Sequence, residues 1–157
     1  KIQLYPLIIE TIAKLKPVFP DEPTLPKDIH QKIKKLAAKG DSLADNDRFK
    51  EALPIYEAAF KLLPEPWQNW QASVWLLGAI GYSQCLDEDF ESAKLTFEKL
   101  MTSEAVDENA FVHLRYVQTL LELGLEQEAT AKLTLAYQLG GEEIFEGEDE
   151  RYLNLAT

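Results

Sequence analysis

The chain has 157 residues, 46% apolar and 27% charged, and its 16 basic and 27 acidic side chains leave a net charge of −11. That is the size of one ordinary domain with its own core. One cysteine excludes an internal disulfide framework or a cysteine-rich zinc site, and no apolar run reaches the roughly 18 residues of a membrane span.

The charge is unevenly placed. Residues 1–40 hold eight Lys and four acids, net +4, whereas residues 41–157 hold eight basic and 23 acidic side chains, net −15. Phosphates and anionic membrane surfaces are poor partners for such a chain, so neither nucleic acid nor membrane is expected. A basic protein would be steered toward the acidic part. The plainer role of that charge is solubility.

In chain order, Lys1 precedes a short apolar run. Glu10 and the lack of a small-residue cleavage site set this run apart from a secretory signal, so a cytoplasmic protein is expected. Leu7 to Lys16 reads as a short helix behind Pro6, and Pro17, Pro20, Pro23 and Pro26 mark an extended linker. Residues 1–28 thus form an N-terminal helix and linker, and residues 29–157 the main domain. Asp28 is expected to cap a helix from Ile29 to about Ala44, and Asp47 a second from Arg48 to Leu62. Pro64-Glu65-Pro66 then opens a long helix, Trp67 to Leu86, with Trp67 and Trp70 sealing the turn. Further helices are predicted at about 88–102, 108–123, 125–139 and 148–156, with Gly124 and Gly140-Gly141 at helix ends. No segment alternates with period two for long, so the fold class is all-α without a sheet.

Repetition organises these helices. Phe49, Ala52, Tyr56 and Ala59 align with Phe90, Ala93, Phe97 and Leu100, and again with Glu126, Ala129, Leu133 and Ala136. Gly40 and Gly81 stand nine residues before the first two rows, and Val117 takes that place in the third. Each row reads as a helix pair in which a small residue of the first helix admits the second, facing its alanine. The pattern resembles the tetratricopeptide repeat, best in the first unit: Leu36, Gly40, Leu43, Phe49, Ala52, Tyr56, Ala59 and Pro64. The resemblance implies a helical-hairpin solenoid with repeats at about 29–64, 67–103 and 108–139 and a C-terminal cap over 140–157. In the cap, Ile144, Phe145, Tyr152 and Leu153 are expected to cover the last pair, while Glu146, Glu148, Asp149 and Glu150 point to water or to a basic partner.

Chemistry-bearing motifs are scarce. Cys85 reads as a buried thiol, His113 as a packed or half-exposed histidine and His30 as a surface one. Gly140-Gly141 lacks the Lys and Ser/Thr of a phosphate loop, and the acidic runs at 87–89 and 146–150 lack the ligand spacing of a calcium loop. No enzyme, metal, cofactor or small-molecule substrate is expected. What remains is a protein-binding surface. The first helices of solenoid pairs line a groove. Their offsets place there Asp41 and Asp45, then Trp75, Tyr82 and Cys85, then Phe111, Arg115, Gln118 and Glu122. Trp75, Tyr82 and Arg115 are the candidate anchors, and Glu148 and Asp149 candidate contacts from the cap. The carboxylate-clamp lysines, arginines and asparagines of some family members are replaced by Ala37, Ala38 and Asp41, which favours a basic or mixed partner.

Two stretches are similar to a narrower group. They are Leu63 to Pro66 with Trp70 to Gly81, and Phe111 to Arg115 with Glu122 to Gly124, Gly141 to Asp149 and Tyr152. Both resemble small bacterial repeat proteins that accompany polymorphic (Rhs or contact-dependent) toxins as immunity partners. This resemblance implies an immunity protein that neutralises a basic toxin domain. An acidic secretion chaperone and a generic assembly scaffold are the alternatives.

Overall fold

The computed structural model describes residues 25–107 and 109–157. The helices are α1 (Lys27–Ala44), α2 (Phe49–Phe60), α3 (Gln71–Leu86), α4 (Phe90–Leu100), α5 (Ala110–Glu122), α6 (Glu126–Gly140) and α7 (Glu150–Ala156). Among the described residues there is no strand. Each helix packs chiefly against the one before and the one after it, which gives the consecutive pairs α1–α2, α3–α4 and α5–α6, with α7 against α6. The expected helix over Leu7 to Lys16, and the linker up to residue 24, lie outside the described residues.

The three pairs close in the same way. Asp47 N donates to Ala44 O (3.0 Å) and Arg48 N to Leu43 O (3.0 Å). Glu88 N to Cys85 O (3.0 Å) and Asp89 N to Gln84 O (2.9 Å) repeat this, as do Gly124 N to Leu121 O (3.0 Å) and Leu125 N to Leu120 O (2.9 Å). These are Schellman closures, which need one residue in the left-handed region. That residue is Asp47 (φ 59°), Glu88 (φ 63°) and Gly124 (φ 74°) in turn. Only glycine takes such a φ without a Cβ penalty.

This corrects the predicted cap. An N-cap residue has extended backbone. Asp47 is left-handed, the N-cap position of α2 falls to Arg48, and no side chain caps that helix. Asp28 is likewise not a cap, because α1 begins at Lys27 behind Pro26 and takes Asp28 into its first turn. The helix expected from Trp67 is interrupted. Residues 67–69 form a short 3-10 turn, Trp70 is extended (φ −109°, ψ 125°), and α3 starts at Gln71. Two anchors hold the break: the rings of Trp67 and Phe60 lie 5.6 Å apart, and Trp70 Nε1 donates to Pro64 O at 2.7 Å. The two tryptophans thus seal this turn, as predicted. Similar 3-10 turns follow α4 (Glu104–Val106) and α6 (Glu142–Phe145).

The aligned rows form the core. Ala52, Tyr56, Ala59, Ala93, Phe97, Leu100, Ala129, Leu133 and Ala136 are each at most 1% exposed. The leading position diverges, with Phe49 buried, Phe90 half-buried and Glu126 exposed. The glycines, however, face the aromatic of the second helix and not its alanine. A Cβ on Gly40 would lie 2.5 Å from Tyr56 Cε1, and one on Gly81 2.9 Å from Phe97 Cζ. In the third pair the same two places hold Val117 and Leu133, both buried, so bulk has moved from the second helix to the first.

Candidate functional site

Helix α5 lies between α4 and α6 and buries ten of its 13 residues, including Arg115, Gln118 and Thr119. Their spacing of three and four residues puts all three on one side of the helix. A buried guanidinium needs partners, and here they come from the C-terminal segment and from α3. Arg115 Nη1 donates to Gln118 Oε1 (2.7 Å) and pairs with Glu148 Oε1 (2.7 Å). Gln118 Nε2 donates to Glu148 Oε2 (2.6 Å). The guanidinium carbon sits 4.9 Å from the centre of the Tyr82 ring, close enough for a cation–π contact. Only 4% of the Arg115 side chain and 2% of the Glu148 side chain reach solvent. Burial works against the arginine charge, but Tyr82 and Glu148 outweigh it and hold its pKa above the usual value.

Beside this pair, Cys85 Sγ lies 3.0 Å from Thr119 Oγ1, and Thr119 Oγ1 donates to Arg115 O at 2.9 Å. The threonine hydroxyl has a single hydrogen, so the thiol must be the donor to it. That requires a protonated sulfur. Burial pushes the Cys85 thiol up to about 11 and the Tyr82 phenol up to about 12. Neither is charged at neutral pH, and Cys85 is the buried thiol its sequence context predicts. His113 is buried as well, with Nε2 3.2 Å from Asp107 O, and burial lowers its pKa. His30 is exposed, as expected. Among the described residues, no three His, Cys, Asp or Glu gather closely enough to hold a metal ion.

The predicted site residues therefore separate into two sets. Tyr82, Arg115, Gln118 and Glu148 come together, but in the interior, where Tyr82 is 2% and Arg115 3% exposed. Glu148 does not point to water or to a basic partner, because Arg115 and Gln118 claim both of its oxygens. The rest are apart. Asp41 is half-buried and accepts from Tyr56 Oη at 2.9 Å, while Asp45 and Glu122 are exposed. Trp75 and Phe111 are half-buried. Asp149 is exposed at the start of α7, where it accepts from Arg151 N and pairs with Arg151 Nε, both at 2.9 Å. Ile144, Phe145 and Tyr152 are buried and Leu153 half-buried, the covering role foreseen for them.

A second feature escaped the sequence reading. A cleft of about 910 Å³ opens where the start of α3, the 3-10 turn after α4, the start of α5 and the end of α6 meet the turn at 142–145. Glu104, Asp107, Glu143 and Glu146 surround it, and Val74 and Ile144 contribute apolar surface. The only signal in the sequence was that the acidic residues fall in the inter-helix segments that follow α4 and α6.

No protein-family description and no curated protein matches this chain. Among the described residues, no helix is long and apolar enough to cross a membrane.

Proposed function

We propose that the protein is a non-enzymatic binding protein of the tetratricopeptide-repeat type. It acts in the cytoplasm as an immunity protein that holds and neutralises a basic toxin domain. One observation carries this reading: every Lys and Arg after Lys99 is engaged within the molecule. Arg115 is buried against Glu148, Lys132 lies 5.0 Å from the centre of the Tyr116 ring, and Arg151 pairs with Asp149. Meanwhile Glu104, Asp107, Glu122, Glu126, Glu128, Glu142, Glu143 and Glu146 are exposed on the same part of the chain. A surface of one sign attracts a partner of the other, raises its rate of encounter and rejects like-charged competitors. A toxin whose substrate is anionic carries such a basic surface.

Co-expression tests the reading. A strongly basic protein encoded beside this one, expressed alone, should arrest growth, and co-expression of this chain should restore it. Persistent arrest would remove the immunity function. Retrieval of an unfolded translocator in place of a folded basic domain would favour the acidic secretion chaperone.

A further inference from the structure

We propose that the cleft between α3, α5 and the turn at 142–145 is the docking point for an extended basic segment of the protein partner, with an Arg or Lys side chain seated among its carboxylates and a neighbouring apolar side chain on its floor. This inference rests on the proposed function and names the chemistry of the partner.

Four observations converge. First, the cleft, at about 910 Å³, is near the upper end of the size of ligand sites, enough for several side chains rather than one ion. Second, Glu104, Asp107, Glu143 and Glu146 come from two separate segments and face one space, and the described residues of the lining include no Lys, Arg or His. None of these four carboxylates forms an ion pair or a side-chain hydrogen bond with a described residue. A seated guanidinium or ammonium would give them a counter-charge. Third, Val74, Ala105, Ala110, Leu139 and Ile144 give the cleft an apolar floor, and Leu139 is 39% exposed. A bare cation does not need such a floor, but the methylene stem of Arg or Lys and its neighbour in a peptide do. Fourth, the wall at the end of α6 is closely packed in the free chain. A Cβ on Gly140 would meet Ile144 Cγ2 at 2.2 Å and Ala110 Cβ at 2.8 Å, so the end of α6 is pressed against both α5 and the following turn. Preformed walls spare the partner an ordering cost. The charge and the floor together select a peptide that alternates basic and apolar residues.

The probe is a blocked, fluorescein-labelled peptide of alternating arginine and leucine, titrated against the full chain by anisotropy. Its counterpart carries glutamate in place of arginine. The test variant combines Glu104→Gln, Asp107→Asn, Glu143→Gln and Glu146→Gln. The control removes four exposed charges elsewhere, with Asp28→Asn, Asp47→Asn, Glu57→Gln and Glu91→Gln, and circular dichroism checks that both variants fold. Four weakened charge contacts are expected to cost about tenfold or more in affinity in the test variant, against no more than about twofold in the control. Equal losses in both variants would mean that the peptide senses net charge alone, and the proposal would fall. It would equally fall if the wild-type chain ignored the arginine peptide or bound the glutamate peptide as well. The two readings fail separately. If the cleft variant still neutralises the toxin in co-expression, the docking point is wrong and the immunity reading stands. If the peptide docks as described but co-expression never restores growth, the reverse holds.

Discussion

The first and third helix pairs share a closing turn and a buried row of side chains, yet their leading helices have opposite surroundings. Helix α1 buries four of its 18 residues, and α5 buries ten of 13. Asp41 and Gln118 occupy the same place in the two repeats. Asp41 stays half-buried beside Tyr56, whereas Gln118 is sealed in by Arg115 and Glu148. Repeat offsets therefore tell which face a residue is on, and neighbours decide whether that face meets water. Once the C-terminal segment covers α5, a polar residue there must find an internal partner.

The largest expected effect breaks this covering. Arg115→Ala leaves Glu148 buried without its cation, and urea denaturation should find a loss of about 3–5 kcal/mol. The pair itself contributes less than that figure. Among the described residues, Arg115 Nε and Nη2 find no hydrogen-bond acceptor. The double change Arg115→Met with Glu148→Leu should therefore recover most of the lost stability.

A second experiment moves the bulk of the third pair into the second. Gly81→Ala drives a methyl group into the Phe97 ring and should cost about 1–3 kcal/mol, less the gain in helix propensity. Phe97→Leu makes room in the manner of Val117 and Leu133. The double variant should be more stable than the two single losses predict, by about 1 kcal/mol in a mutant cycle. Simple additivity would mean that the glycine and the aromatic do not pack as a unit.

A smaller effect of opposite sign tests the closing turns. Asp47 holds the left-handed place that glycine holds in the third pair. Asp47→Gly should raise stability by about 0.5–1 kcal/mol, since the Cβ strain of roughly 1–2 kcal/mol is relieved while the unfolded chain gains freedom. The same measurement on Gly124→Ala should show the converse loss.

Stability should also depend on pH through Cys85. The Cys85 thiol is raised to about 11 from an ordinary 9.0. The folded state therefore holds this proton more tightly. The associated stability is complete below about pH 9 and fades as pH rises toward 11. Wild type should lose more stability than Cys85→Ala between pH 8 and about pH 11. At pH 8 a disulfide reagent should label Cys85 only after unfolding.

Much of the fold was legible because it is local and periodic. The three aligned rows were found from spacing alone, and every residue of them beyond the leading position is buried. Gly124 was readable as a helix end for the same reason. Asp47 misled because aspartate suits both an N-cap and a left-handed turn, and the choice depended on where the preceding helix stopped. Trp67 and Trp70 broke a helix through contacts with Phe60 and Pro64, which periodicity does not weigh. The candidate site was less legible. Glu148 reads as one acid among four in its run, and nothing nearby in sequence marks it as the partner of Arg115. The cleft is assembled from two turns and three helix ends, none of which carries a pattern by itself.

The distance along the chain between Arg115 and Glu148 also orders events during synthesis. The arginine leaves the ribosome 33 residues ahead of the carboxylate that pairs with it. At about 5–20 residues per second, that is a wait of about 2–7 s. Formation of individual helices takes about a microsecond, so α5 has time to form many times over while its charged face is still wet. Dehydration of that face becomes favourable only when Glu148 arrives. The last turn to be made is thus the one that commits the third pair, and the ribosome's pace sets the time at which this can happen.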